Sequence, residues 1–201
     1  TFTPNCVPLF VFNGTGSNVV ALQLMTRPYH SIFCAETAHI YVDECGSPVK
    51  MTGCQICPIA TPDGKLTPEL MQPYLHGFGD QHHSQPRALY ISQCTELGTI
   101  YTPEELKRLT DFAHLNGMYV HMDGARIANA CAALNLSLKE LTVDCGVDIL
   151  SFGGTKNGLM MGECVIVFNK DLQPEARFIR KQSAQLASKM RYLSCQFTAY
   201  L

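Results

Sequence analysis

Three side chains that could act together chemically follow two apolar segments of the chain. Asp123 and Arg126 come just after residues 118–122 (MYVHM), and Lys156 lies in a glycine-flanked turn after residues 147–152 (VDILSF). If both segments are strands of a parallel sheet, their carboxyl ends gather at one edge and the three side chains can share a cleft. Each residue also has a purely structural interpretation: Asp123 could pair with Arg126 or cap the next helix, and most lysines are solvated surface charges.

Together, these residue types could bind both a carbonyl compound and an amino acid. A lysine shielded from water in such a cleft becomes a nucleophile for carbonyl groups, and flanking glycines let another group approach closely. A carboxylate can keep a pyridine nitrogen protonated, and a planar guanidinium binds a substrate carboxylate through two parallel hydrogen bonds. These are the groups needed to hold pyridoxal phosphate as a Schiff base.

A glycine-containing turn, residues 14–18 (GTGSN), joins the apolar residues 7–12 to an apolar helical stretch. Glycines allow the backbone to approach an anion, and a helix start offers free N–H groups and the positive end of the helix dipole. The turn is therefore either a phosphate cradle or an ordinary connection in which Ser17 or Asn18 caps the helix. The turn alone favours neither interpretation.

Three histidines are further candidates, because histidine titrates near neutral pH. His39 and the pair His82 and His83 are predicted to lie in loops on either side of the middle strands. One could stack on a cofactor ring, and another could move a proton during a reaction. The alternative is that all three are incidental loop residues.

Composition and cysteine usage narrow the class of protein. The 201 residues, 46% of them hydrophobic, suffice for one substantial globular domain. The net charge of −2 argues against a nucleic-acid partner or an anionic membrane surface. No apolar run approaches the roughly 20 residues of a membrane span.

The ten cysteines follow no repeated spacing. Secreted disulfide-rich proteins are usually shorter and loop-rich, so we predict reduced, mostly buried thiols and a cytoplasmic location. Cys54 and Cys57, with Cys45 upstream, form the one cluster that resembles a metal or redox motif. Two thiols at this spacing lack the second ligand pair of a structural zinc, so we predict no metal site.

The elements that must position these residues alternate between strand and helix. Strands are predicted at residues 7–12, 31–35, 40–42, 52–59, 87–93, 118–122, 148–152 and 163–168, and helices at residues 19–26, 68–75, 103–116, 125–134 and 174–187. The clearest helix start is at Thr102, which forms a capping-box pattern with Glu105. Apolar strands separated by helices indicate an α/β protein with three layers, α/β/α, in which helices cover both faces of a mostly parallel sheet.

Six segments carry a resemblance to a known family. They are residues 14–18 (GTGSN), 36–46 (ETAHIYVDECG), 95–102 (TELGTIYT), 121–130 (HMDGARIANA), 148–156 (DILSFGGTK) and 190–191 (MR). In their order and approximate spacing, the chain resembles the threonine aldolase and β-eliminating lyase family of fold-type I pyridoxal-phosphate enzymes. The resemblance implies an aspartate-aminotransferase-like fold, with residues 1–201 as the large domain that binds pyridoxal 5'-phosphate.

The resemblance also implies roles for individual residues at the cofactor. Lys156 would form the Schiff base, Asp123 would face the pyridine nitrogen, and His39 would stack on the ring. Gly14 and Thr15 would bind the phosphate.

For an amino-acid substrate, the resemblance implies that Arg126 binds the carboxylate and that His83 contacts the β-hydroxyl as the base, with His82 as the alternative. Arg191 would reach the cofactor phosphate from a neighbouring subunit, in a homodimer or homotetramer with the site at the dimer interface. The implied reaction cleaves the Cα–Cβ bond of L-threonine or L-allo-threonine to give glycine and an aldehyde. The alternatives are a β-eliminating lyase, another fold-type I amino-acid enzyme, or a catalytically incomplete domain.

The chain departs from the family pattern in two ways. It has Thr155-Lys156-Asn157-Gly158-Leu159 where bacterial members usually carry Ser-Lys-Gly-Leu, which indicates a divergent branch. The family's N-terminal segment and C-terminal small domain, which supplies a second arginine for the substrate, are not among these residues. We therefore expect the 201 residues to be a fragment of the enzyme.

Overall fold

The computed structural model describes all 201 residues, which form one seven-stranded sheet and its covering helices. The strands are β1 (Val7–Val11), β2 (His30–Ala35), β3 (Gln55–Ile59), β4 (Gln85–Ser92), β5 (Tyr119–Gly124), β6 (Ile149–Phe152) and β7 (Glu163–Val167). Their order across the sheet is β1-β7-β6-β5-β4-β2-β3. Strand β7 runs antiparallel to both of its neighbours, and every other pair is parallel. The predicted mostly parallel sheet is therefore confirmed.

Eight α-helices accompany the strands. They are α1 (Gly14–Met25), α2 (His39–Val42), α3 (Ser47–Thr52), α4 (Pro68–Met71), α5 (Pro103–Leu115), α6 (Ile127–Leu134), α7 (Gln173–Gln182) and α8 (Arg191–Tyr200). The predicted capping box starts α5: the Thr102 hydroxyl accepts from the Glu105 N–H (3.3 Å), and the Glu105 carboxylate accepts from the Thr102 N–H (2.8 Å). No helix has the length and apolar character that a membrane span requires.

Apolar side chains cover both faces of the sheet. One cluster of 24 buried residues joins α5 and α6 to the sheet, and another of 19 joins α1 and α7 to it. Central parallel strands are thus buried on both sides, which explains why their sequences are continuously apolar instead of alternating. The confirmed arrangement is the three-layer α/β/α fold.

The first helix begins earlier than residue 19 and has a different cap from the one predicted. Helix α1 starts at Gly14, and the Asn13 side chain accepts a hydrogen bond from the Gly16 N–H (2.7 Å). Ser17 and Asn18 are not caps; both are buried inside the helix. The helix is apolar nearly all round because it is buried, so periodicity does not mark its start.

The strand predicted at residues 40–42 is wrong, because these residues belong to the short helix α2. Only Ile40 is buried there, whereas Tyr41 and Val42 are 52% and 56% exposed. A three-residue apolar run cannot distinguish a strand from a helical turn. The other predicted elements are present with ends shifted by a few residues, and neither α3 nor α8 is predicted from the sequence.

Candidate active site

A cleft opens at the carboxyl ends of the parallel strands. Its lining residues are Gly14, Asn18, His39, Ser92, Cys94, Glu96, Asp123, Ala125, Arg126 and Lys156. The loops that leave β1, β2, β4, β5 and β6 all contribute to it. Five of the predicted site residues, namely Gly14, His39, Asp123, Arg126 and Lys156, thus lie together at one edge of the sheet.

Asp123 lies near the end of β5 and accepts three hydrogen bonds. One carboxylate oxygen accepts from the Tyr90 hydroxyl (2.7 Å) and the Asn18 amide (3.1 Å), and the other from the Ala125 N–H (2.9 Å). Asp123 forms no ion pair with Arg126, which excludes that alternative within this chain. The carboxylate is therefore held in one orientation beside the cleft.

A buried polar network continues beneath Asp123. The Asn18 side-chain amide also donates to Glu44 (2.7 Å), and its carbonyl oxygen accepts from the Ser151 hydroxyl (3.1 Å). His121 Nε2 lies 2.9 Å from the same hydroxyl. Burial lowers the pKa of His121 to about 4, so its ring is neutral near neutral pH.

Several supporting residues of this network are not predicted from the sequence. Tyr90 stands inside an apolar segment that indicates only a buried strand, and Ser151 lies in the segment 148–156 without a role assigned to it. For Glu44 a signal exists, since it belongs to the segment 36–46 that carries the family resemblance. For Asn18 the sequence suggests a helix cap, whereas the structure makes it the connection between two carboxylates.

His39 begins α2 and is oriented by a buried carboxylate. Its Nδ1 lies 2.8 Å from Glu44 Oε1, where the side chain of Glu44 is 0% exposed and that of His39 is 34% exposed. Burial raises the pKa of Glu44 above its ordinary value. The Glu96 carboxylate accepts from the His39 N–H (3.0 Å), which fixes the start of the helix. His39 Nε2 has no partner within the chain.

Lys156 is the middle residue of a 3₁₀ turn, Thr155–Asn157, that follows β6. The backbone before it packs too closely for side chains: a Cβ at Gly153 would lie 2.4 Å from the Ala125 carbonyl oxygen. Lys156 lines the cleft and is exposed. The shielding from water that the sequence suggests is therefore not provided by this chain alone.

The structure does not bring His82 or His83 to the cleft. Both precede β4 and line a pocket with Ser31 and Gln55, at the starts of β2 and β3. Strand β4 has eight residues, and at ~3.3 Å per residue it separates this edge from the cleft by roughly 26 Å. His82 and His83 therefore do not reach the cleft of their own chain, and a contact of either with a substrate held by a neighbouring subunit stays a prediction.

Thr15 and Arg191, both predicted at a phosphate, lie at two helix starts. Thr15 follows Gly14 in the first turn of α1, a 12-residue helix whose N-terminus adjoins the cleft. Such a helix start offers N–H groups to an anion. Arg191 is exposed at the start of α8, 5.0 Å from the centre of the Tyr192 ring, and does not line its own chain's cleft. Its contact with a neighbouring subunit stays a prediction.

The family of the chain follows from comparison with known sequences. A sequence model of the family described as Beta-eliminating lyase matches residues 5–197. The chain belongs to the β-eliminating lyase family. Within it, the chain is 43% identical to a low specificity L-threonine aldolase from Pseudomonas aeruginosa, over 100% of this chain and 58% of the relative. It is 30% identical to an alanine racemase from Cochliobolus carbonum, over 86% of this chain and 44% of the relative.

Solved structures support the same assignment to the β-eliminating lyase family. The threonine aldolase of Leishmania major superposes with a TM-score of 0.90 and 34% identity, over 96% of this chain and 56% of that one. The predicted family and its fold-type I architecture are therefore confirmed. The chain spans little more than half the length of these relatives, at 58% and 56%.

Proposed function

We propose that the protein to which these residues belong is a pyridoxal-phosphate-dependent lyase. It would cleave the Cα–Cβ bond of a β-hydroxy amino acid, L-threonine or L-allo-threonine, to give glycine and an aldehyde. The observation that carries the proposal is the meeting of Lys156, Asp123 and His39 in one cleft. The Pseudomonas and Leishmania relatives, both named threonine aldolases, support the choice of reaction.

The residues of the cleft fit pyridoxal 5'-phosphate in charge and chemical type. Lys156 would hold its aldehyde covalently, Asp123 would face its pyridine nitrogen, and His39 would stack on its ring. The helix start at Gly14 and Thr15 would bind its phosphate. When bound, the cofactor supplies an electron-accepting ring that stabilises negative charge on the carbon bonded to the substrate's amino group.

Asp123 would hold a proton on the ring nitrogen. Its three hydrogen bonds, from Tyr90, Asn18 and Ala125, fix the carboxylate so that it need not reorganise when charge develops nearby. The buried side of the carboxylate is occupied by these donors, and its remaining surface adjoins the cleft. The same residue types could not do this on a solvent-exposed loop, where water would compete for the carboxylate.

Arg126 would bind the carboxylate of the amino-acid substrate. It is exposed, lines the cleft, and forms no ion pair within the chain. A guanidinium is suited to this contact because its planar fork presents two parallel N–H donors to a carboxylate. This role orients the substrate relative to Lys156, the fourth residue after the neighbouring strand β6.

His39 would accept the proton of the substrate's β-hydroxyl. Its Nδ1 is held by Glu44, which leaves Nε2 as the nitrogen able to accept a proton. Water cannot compete for the Glu44 contact, because that side chain is fully buried. A histidine oriented by a carboxylate is a common general base. In the proposal His39 therefore takes the proton-transfer role predicted for His83.

A second candidate function is a different reaction at the same cofactor, either β-elimination or racemisation. The relative named an alanine racemase, 30% identical over most of this chain, favours keeping it as a competitor. The cofactor and its lysine would be unchanged, since the substrate pocket decides which bond breaks. The products therefore distinguish the reactions.

Cofactor attachment and product analysis of the full-length protein test the proposal. After incubation with pyridoxal phosphate and borohydride, we expect peptide mass spectrometry to find the modification on Lys156. It should be absent in Lys156→Ala and unchanged in Lys170→Ala, a control at the opposite edge of the sheet. With L-threonine, equal amounts of glycine and acetaldehyde are expected. Ammonia with a keto acid would instead support β-elimination, and no attachment at Lys156 would refute the proposal.

The active assembly would be a cytoplasmic homodimer or homotetramer, with the site at the dimer interface. The exposure of Lys156 and Arg126 in the single chain supports a second surface over the cleft. A mixture of Lys156→Ala and Arg191→Ala subunits tests this, because each mixed dimer would contain one site with both residues. We expect mixing to restore part of the activity that either variant lacks. Failure to restore it, with mixed dimers demonstrated, would exclude Arg191 from the partner's site.

A further inference from the structure

We propose that Asn157 is a positioning residue that holds Lys156 at a set distance from Asp123. This inference rests on the proposed function. It gives a role to Asn157, the residue at which the lysine turn differs from the usual family pattern. In that pattern a glycine follows the lysine directly, whereas here Asn157 stands between Lys156 and Gly158.

The Asn157 side chain connects two neighbouring turns. Its amide nitrogen donates to the carbonyl oxygens of Ala125 (3.1 Å) and Gly153 (3.0 Å). Ala125 belongs to the turn that leaves β5, and Gly153 to the turn that leaves β6. One N–H of the amide group thus fastens the lysine turn to the turn that follows Asp123, and the other braces the lysine turn against its own first residue.

The connection reaches the Asp123 carboxylate through a single residue. The Ala125 N–H donates to Asp123 Oδ1 (2.9 Å), while the Ala125 carbonyl accepts from Asn157. Ala125 is therefore held at both of its backbone polar groups. Since Asn157 directly follows Lys156, this path of two hydrogen bonds and one residue connects the lysine to the carboxylate, beside the backbone bond from the Gly153 N–H to the Gly124 carbonyl (3.2 Å).

The lysine turn has little stiffness of its own, because glycines surround it. On its other side the Glu163 carboxylate accepts from the Gly154 N–H (2.6 Å), and the Thr155 N–H donates to the Gly162 carbonyl (3.1 Å). Those contacts fasten the turn to the start of β7, away from Asp123. Asn157 supplies the side-chain link toward β5, on which the Lys156–Asp123 separation depends.

Loss of Asn157 should therefore affect the covalent contact of Lys156 more than the other cofactor contacts. The ring and phosphate contacts proposed for Asp123, His39 and α1 do not pass through this turn. A lysine that samples more positions would hold an aldehyde less tightly. It would not change the binding of an analogue that forms no bond with lysine.

Binding of two cofactor forms to the full-length protein tests this difference. Pyridoxal phosphate can bond to Lys156, whereas pyridoxamine phosphate cannot. In Asn157→Ala we expect the dissociation constant of pyridoxal phosphate to rise by roughly tenfold and that of pyridoxamine phosphate to change by less than about twofold. Asn157→Asp, which has the same shape without N–H donors, should behave like Asn157→Ala.

Asn116→Ala is the matched control. Asn116 is also half-buried and also donates its amide to a backbone carbonyl, that of Phe112 (2.9 Å), but it lies at the end of α5. It should leave both dissociation constants unchanged. Equal weakening of both cofactor forms by Asn157→Ala, or no weakening of either, would overturn the positioning role.

Hydrogen exchange of the cofactor-free protein separates this inference from the proposed function. Without Asn157 we expect the backbone amides of residues 155–159 to exchange roughly tenfold faster, with no change elsewhere in the sheet. If the wild-type protein bound neither cofactor form, the proposed function would fail. The exchange rates alone would then test whether Asn157 fastens the lysine turn, and unchanged rates would refute that role.

Discussion

Two histidine–carboxylate pairs, one beside the carboxyl ends of the parallel strands (the carboxyl edge) and one beside their amino ends (the amino edge), differ in burial. At the carboxyl edge, His39 lies 2.8 Å from Glu44, whose side chain is 0% exposed. At the amino edge, His83 lies 3.6 Å from Asp80, and the two side chains are 49% and 47% exposed. The same residue types therefore occur in two different electrostatic environments.

The difference between these two pairs shows that the burial of the carboxylate, more than the residue type, decides how firmly the histidine is held. A buried carboxylate is costly unless it is hydrogen-bonded, so the fold must supply donors such as Asn18 around Glu44 and Asp123. Water surrounds the exposed pair at the amino edge, where the gain from such a contact is small. Substitutions at the two edges should therefore have very unequal consequences.

The largest difference in kcat is expected between the variants Asp123→Asn, at the carboxyl edge, and Asp80→Asn, at the amino edge. Asp123→Asn should lower kcat by at least about 100-fold, because a neutral amide cannot hold the proton on the cofactor's ring nitrogen. Asp80→Asn should change kcat by less than about twofold, since its half-exposed side chain contacts only His83 and the His82 N–H (2.9 Å), away from the cleft. Steady-state kinetics of both variants, with circular dichroism to verify folding, would check this. A folded Asp123→Asn protein with nearly normal turnover would refute the proposed role of Asp123.

The next largest difference in kcat is expected between variants of His39 and of His83. His39→Ala should lower kcat by roughly 100-fold, a typical loss for a general base, whereas His83→Ala should have less than about a twofold effect. Steady-state kinetics of the two folded variants would measure this difference in kcat. A larger loss for His83→Ala would reverse the assignment and would place His83 of a neighbouring subunit at the site.

The sequence alone predicts which residues follow the carboxyl ends of β5 and β6, because an apolar run marks each of these two strands. Apolar runs mark β5 and β6, and the parallel arrangement then brings Asp123 and Lys156 to one edge. The same rule, applied to the start of β4, would have placed His83 at the opposite edge. The resemblance assigns His83 to the substrate by its distance to Thr95 along the chain, and that distance carries no information on strand direction.

The partners of the site residues could not be predicted in this way. Tyr90 reaches Asp123 only because β4 lies next to β5 in the sheet, with Ser92 opposite Asp123. Strand order and register depend on contacts distant in the sequence, and no local pattern specifies them. The contact of Glu44 with Asn18 of α1 likewise joins distant parts of the sequence, just after the short helix α2 that the apolar pattern indicates as a strand.

The pH dependence of stability should reveal the buried network under the cleft. Burial lowers the pKa of His121 to about 4, and nearby Asp123 offsets this only in part. Between pH ~4 and ~6.5, the unfolded chain, with a histidine pKa of about 6.5, therefore binds a proton at His121 that the folded chain does not bind. The contribution of His121 is complete above pH ~6.5 and declines as pH falls toward 4.

At pH 5 this linkage should cost the folded protein about 2 kcal/mol relative to pH 8. Urea unfolding of wild type and His121→Gln at several pH values would measure it. The variant is expected to be less stable at pH 8 but to lose less stability on acidification. Parallel pH curves for the two proteins would show that His121 does not titrate as a buried neutral ring.

The smallest effect on the pH dependence of stability is expected from His114 at the amino edge, and its sign is opposite to that of His121. The hydrogen bond to Asp148 (2.9 Å) raises the pKa of His114, against a smaller opposing effect of burial. The folded chain therefore holds this proton more tightly than the unfolded chain. The stabilisation is complete below pH ~6.5 and is lost as pH rises through the folded pKa.

His114→Gln should accordingly cost less than about 1 kcal/mol, and the cost should shrink at higher pH. The effect is small because Asp148 keeps two other donors, the Val120 N–H (2.7 Å) and the Asn169 amide (2.7 Å). His82→Gln, whose exposed side chain has no carboxylate partner, is the control and should leave the free energy of unfolding nearly unchanged. If the cost of His114→Gln grew with pH as that of His121→Gln does, the two edges would not differ in how their histidines couple to folding. The contrast between a neutral buried ring and a charged half-exposed one would then fail.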